Sequence, residues 1–287
     1  MSGTEQQENE AVVAFRGLVA DEWESWVREN PLLATRCGDH RFDDRLPAVS
    51  EADAQRRLAQ DKSYLERLRA IDPGDLPRRD QLNRVTFERM LRDRIADAEF
   101  HAYRMPLTRL GGFYTNFAEL PRVIPLDTLQ DYEHYISRLR GFAAYAEGYL
   151  ALMRDGIRSG HVQPGVALDG IEETVRPHVV QDPTQSLLYA PLAHLPERIG
   201  KGDRERLCEA GRAAIRDAVV PGYRALLRFL VDEYVPAARA EIAASTLPDG
   251  EAYYAHCVRK FTTLDVTPQE VHDIGRQEVR RIRAEMD

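Results

Sequence analysis

Residues 267–286 read Thr-Pro-Gln-Glu-Val-His-Asp-Ile-Gly-Arg-Gln-Glu-Val-Arg-Arg-Ile-Arg-Ala-Glu-Met. Thr267 and Glu270 are spaced as a capping box, and Pro268 stands at the first helical position, where its missing N–H costs nothing. Val271, Ile274, Val279, Ile282 and Met286 then recur at roughly helical spacing. No Gly or Asn closes this helix, and Asp287 places a negative charge where the helix dipole favours a positive one. A helix opened this clearly and left uncapped sets the expectation that the chain stops inside a longer fold.

The same rhythm runs through the rest of the chain. Val13, Phe15, Leu18, Val19, Trp23, Trp26 and Val27 form one stripe over residues 11–30, and the simplest reading of both tryptophans is core. Pro31 and the Gly38-Asp39 turn end that helix, leaving a polar loop to Pro47. Ser50 caps a second helix, which the Asp72-Pro73-Gly74 turn closes. A third is expected from Pro77 to Tyr103, with Leu82, Val85, Phe87, Leu91 and Ile95 inward. Residues 105–126 are an irregular connection long enough to need a purpose, either lining a cleft or a short buried helix. Asp127-Thr128-Leu129-Gln130 starts the next helix, carrying Tyr132 to Met153. Pro164 begins a short one, and residues 177–200 are loop with turns. Asp203 is placed as the cap of a long helix reaching Ala244, bent near Pro221 and Pro236. Period-two alternation is nearly absent, so the fold class is all-α, a bundle of long, partly kinked helices. The expected organisation is a disordered polar segment 1–10 followed by one helical domain, 11–287.

At 43% apolar and 30% charged residues, the chain has the composition of a globular protein. Its net charge of -8 offers no general attraction to phosphates, and its arginines are interleaved with acids, so nucleic acid is not the expected partner. No long apolar run predicts a membrane span, and the first residues lack the pattern of a signal peptide. Cys37, Cys208 and Cys257 form no CxxC pair, which suits a reducing cytoplasm.

Three stretches carry a family resemblance. The first holds Asn30-Pro31, Ala34-Thr35, Gly38-Asp39-His40-Arg41 and Asp43-Asp44-Arg45-Leu46-Pro47. The second holds Pro221-Gly222-Tyr223, Leu226, Phe229-Leu230, Glu233-Tyr234 and Arg239. The third holds Pro248-Asp249-Gly250, Tyr253-Tyr254, Thr262-Thr263, Thr267-Pro268-Gln269-Glu270-Val271-His272, Gly275 and Glu278-Val279. Together they resemble the DUF885 family, whose full-length members look like helical zinc metallopeptidases. The resemblance implies a hydrolase of peptides or related amides, with zinc held by a His-Glu signature in a second half. None of the eight histidines here is followed by Glu in an HExxH frame, so no metal ligand is assigned to this chain. The implied partner is the missing C-terminal half. The alternative is a stand-alone helical scaffold that self-associates.

Tyr253, Tyr254 and His256 are the candidate substrate-binding residues. Tyrosine hydroxyls can donate to the oxyanion of a tetrahedral intermediate, although two amphipathic rings at a surface are the plainer reading. Cys257 beside His256 invites a nucleophile, but sequence neighbours on a helix point about 100° apart. His272 has no second ligand within one turn. Asp97 with His101, and Asp131 with His134, share helix faces as weak two-ligand pairs. No catalytic residue is assigned. GxSxG, P-loop and GxGxxG patterns are all missing.

Overall fold

The computed structural model describes residues 10–108 and 110–286. The polar segment expected to be disordered therefore lies outside the described residues except for Glu10, which opens the first helix. Helices α1 (Glu10–Glu29), α2 (Pro31–Arg36), α3 (Glu51–Arg69) and α4 (Arg78–Glu99) come first. A two-residue-per-strand hairpin, β1 (Leu107–Thr108) and β2 (Gly111–Gly112), leads into α5 (Phe113–Ala118) and then α6 (Leu129–Ser159). Short α7 (Ile171–Val175) and α8 (Ala190–Ala193) precede α9 (Lys201–Ala214) and α10 (Val220–Phe229). The described chain closes with α11 (Gly250–Thr262) and α12 (Pro268–Met286). The all-α expectation holds.

Capping chemistry places most of the helix starts. The Ser50 hydroxyl accepts from Asp53 N at 3.0 Å. The Thr128 hydroxyl accepts from Asp131 N at 3.2 Å while the Asp131 carboxylate accepts from Thr128 N at 2.7 Å. Thr267 and Glu270 make the same reciprocal pair, so three read starts are real. Pro31 opens a helix instead of only ending one: its preceding residue, Asn30, is non-helical, and a proline at the first position is preorganised.

The long segment from Lys201 is one continuous helix with two widened turns, Ile215–Val219 and Leu230–Tyr234. The first widening comes just before Pro221, whose ring nitrogen has no N–H to close the α ladder. Two expectations fail here. Gly200, not Asp203, is the cap residue, and the helix stops at Tyr234 with Pro236 beyond it, so the second proline ends the helix rather than bending it. The third expected helix is also shorter, ending at Glu99 because His101 takes left-handed φ of 54°.

Buried apolar residues fall into two clusters. The larger is built on α6, whose Tyr135, Leu139, Phe142, Ala146 and Met153 meet α5, α9 and α10. The smaller joins Phe15 and Leu18 of α1, Leu65 and Leu68 of α3, and Leu91 of α4. The tryptophans are not core: Trp23 is 43% exposed and stacks on Trp26 at 5.5 Å, while Glu22 turns inward to Arg94 at 2.7 Å. Leu82 and Val85, expected inward, are 55% and 64% exposed. The irregular stretch 105–126 is the hairpin plus α5, whose Phe113, Tyr114 and Phe117 are buried.

Candidate functional site

Helix α11 is held at both ends by arginines. The Arg239 guanidinium donates to the carbonyls of Val162 and Glu241 at 3.1 and 3.0 Å and to the Thr246 hydroxyl at 2.8 Å, fixing the turn that feeds the helix. At the other end Arg89 Nη2 of α4 donates to the carbonyls of Arg259 and Lys260 at 2.9 and 3.0 Å. The Arg259 carbonyl also accepts from Thr263 N at 3.0 Å, so the arginine reinforces the last turn, where carbonyls run out of helical donors. Thr263 then takes left-handed φ of 66° and lets the chain leave toward α12.

With its ends fixed, α11 turns one face to α4. His256 and Cys257 each lie three or four residues from Tyr253 and from Lys260, and the four share that face. His256 is 3% exposed. Its Nε2 lies 2.9 Å from Asp97 Oδ1, and Lys260 Nζ donates to the other oxygen at 2.5 Å. The Phe100 ring stacks on His256 at 5.8 Å and tilts against Tyr253 at 5.6 Å. A carboxylate opposite Nε2 selects the tautomer with the proton on that nitrogen. Nδ1 is then a lone pair, and it is buried without a hydrogen-bond partner.

The electrostatics favour uncharged neighbours. Burial first, and then the nearby Cys257, pushes the Tyr253 hydroxyl up to about 12. Burial also raises the Cys257 thiol, so it stays protonated and is no activated nucleophile. The three sequence candidates do not converge. Tyr253 is half-buried in the seam, His256 is sealed, and Tyr254 is 48% exposed on another face.

Beside the seam lies a cleft of 590 Å³, lined by Val85, Arg89 and Ala96 of α4, His256 and Arg259 of α11, and Leu264 beyond it, among others. All of its lining residues come from α4, α11 and the turn after α11. A smaller polar hollow of 190 Å³ sits between α1, α3 and α4, around Glu22, Asp61 and Arg94.

The paired-ligand readings dissolve. Asp97 belongs to His256 rather than His101, which instead meets the Tyr103 hydroxyl at 3.0 Å and the His161 ring at 5.4 Å. The Asp131 carboxylate caps α6. His272 is exposed on α12. Among the described residues no three or more His, Cys, Asp and Glu side chains are grouped to hold a metal ion. The donors present therefore do not fit a zinc site. Sequence reading missed Asp97 as the partner of His256 because 159 residues separate them, and no local spacing links the two.

The model of the family DUF885, described as "Bacterial protein of unknown function", matches residues 31–287. No curated protein matches the chain. Among solved structures, the chain is similar to the crystal structure of the "putative lipoprotein" from Colwellia psychrerythraea, with 17% sequence identity and a TM-score of 0.82. The alignment covers 96% of this chain and 50% of that one, so the chain spans about half the length of the structure it matches. At this identity the likeness is one of fold alone. No helix among the described residues is long and apolar enough to cross a membrane.

Proposed function

This chain belongs to the DUF885 family, and from that premise we propose that it is the helical portion of a hydrolase acting on peptides or related amides, supplying one wall of the substrate cleft and no chemistry of its own. The observation that carries the reading is the α4–α11 cleft, which has α4, α11 and the following turn on its lined side and exposed apolar Val85 and Leu264 at its surface. A wall of that kind, backed by a rigid polar seam, is what a cleft needs to orient an extended peptide.

Zinc, which the family resemblance implies for a complete hydrolase, would polarise the scissile carbonyl and activate water. Because the residues described here supply no donor set, its ligands would have to come from polypeptide outside this chain, and no reaction step is assigned to the residues present. Tyr253 supports the wall through its half-buried ring; Tyr254 is the better placed of the two tyrosines to touch a ligand, being exposed. His256 acts behind the surface, locking α11 to Asp97. The three free thiols support a cytoplasmic setting.

Two measurements test the reading together. The chain alone, assayed with added zinc against a fluorogenic peptide series, is expected to show no turnover above the buffer blank. In a nuclear magnetic resonance titration with tetra-alanine amide, shifts are expected at Ala96, Arg259 and Leu264. Turnover by the chain alone, or shifts confined to another surface, would sink the proposal.

A further inference from the structure

Helix α12 has no buried residue anywhere along its 19-residue length. Val271, Val279, Ile282 and Met286 are 36, 51, 46 and 81% exposed. At 100° per residue these four, with Gly275 between them, fall within an arc of about 80°, a continuous apolar stripe roughly 23 Å long. A soluble helix held at one end by its neighbour α11 does not keep such a stripe in water without a partner.

The two edges of the stripe differ. On one edge Glu278 and Glu285 are already paired to Arg281 at 2.8 and 2.6 Å. On the other, Arg276 and Arg283 have no salt bridge among the described residues. A trough of 470 Å³ follows this basic side past Gly275, where open space surrounds the backbone. The apolar surface continues across the turn through Phe261 and Leu264, 79% and 58% exposed.

We propose that α12 is a docking helix that receives an amphipathic helix with an acidic edge, supplied by the half of the fold that this chain does not contain. The fold it shares has as much polypeptide again, since the match covers 50% of the solved structure against 96% of this chain. A second copy is a poor occupant in the antiparallel arrangement, because it would set the Arg276 and Arg283 edge against itself. The inference concerns the fold and does not depend on the hydrolase reading above.

The test uses the chain itself, light scattering, and two labelled helical peptides of about three heptads with a Leu/Ala stripe. One peptide carries Glu along the edge that would face the arginines, and the other carries Lys. The chain is expected to be monomeric and to bind the Glu peptide at least about tenfold more tightly than the Lys peptide. Val279→Asp with Ile282→Asp should abolish binding with helical content and thermal unfolding unchanged, both sites being exposed. Arg276→Glu with Arg283→Glu should reverse the preference between peptides. Binding of neither peptide at about 100 μM, binding untouched by these substitutions, or a dimer that Ile282→Asp dissolves would each overturn the proposal, the last in favour of a second copy.

Discussion

Arg138 of α6 and Asp43 face each other at 3.5 Å with side chains 1% and 6% exposed, and this buried pair bolts residues 31–46 onto α6. Arg138 also donates to the carbonyls of Pro31, Phe42 and Arg45 at 3.1, 3.2 and 3.0 Å and to the Thr35 hydroxyl at 2.8 Å. Asp43 in turn takes the Thr35 hydroxyl and lies 2.8 Å from His40 Nδ1. Burial pulls the guanidinium down to about 10, with Asp43 opposing the fall, so it remains charged at neutral pH.

Replacing Arg138 by Met would take the buried cation from Asp43, leaving it Thr35 and His40, and would remove one donor from each of the Pro31, Phe42 and Arg45 carbonyls. Breaking one side of a buried pair costs about 3–5 kcal/mol, and urea unfolding should show a loss of that order. A loss below about 1 kcal/mol would mean that the segment relaxes into water and the bolt is not structural.

The seam at α11 predicts an asymmetry between its two partners. Asp97→Ala leaves His256 buried with both ring nitrogens unpaired and should cost about 1–3 kcal/mol. His256→Phe removes the buried polar group while keeping a ring against Phe100, and leaves Asp97 its Lys260 partner and solvent. It should stay within about 1 kcal/mol of the parent. Equal losses in thermal or urea unfolding would contradict this account of the seam.

Acidification should weaken the fold between neutral pH and the acid side of the histidine range. His101 and His161 meet edge to face, and burial holds both imidazoles below their ordinary value. Burial does the same to His178, stacked on Tyr223 at 4.3 Å. A depressed value means the unfolded chain takes the proton first. The stability these groups support is complete above the unfolded value of about 6.5 and is lost as pH falls from there through the folded values. The urea midpoint should therefore be lower at pH 5.5 than at pH 7.5, and His178→Phe should flatten the difference. A midpoint that rises on acidification would refute the sign.

Gly222 of α10 packs directly against α6. A Cβ there would lie 2.8 and 2.9 Å from Phe142 ring carbons and 3.4 Å from Ala143 Cα. Gly222→Ala gains helix propensity of up to about 1 kcal/mol, yet overpacking costs about 1–3 kcal/mol, so a net loss is expected in unfolding experiments. A stabilised variant would show that the two helices can separate freely.

The amino-acid sequence by itself determined the all-α class and several helix starts, because caps such as Ser50, Thr128 and Thr267 act on donors two or three residues away and periodicity is local. It also placed the DUF885 resemblance on residues now matched from 31 to 287. Only the tertiary structure decided that Trp23 faces water while Glu22 and Arg138 lie inside, since a helix periodicity does not say which side meets a neighbour. Tertiary structure likewise joined Asp97 to His256 and Asp43 to Arg138, pairs that chain folding brings together across 159 and roughly a hundred residues. The exposed stripe of α12 belongs to both: its pattern is written in residues 271–286, but the lack of any buried face on it is a property of packing, because burial depends on what lies opposite.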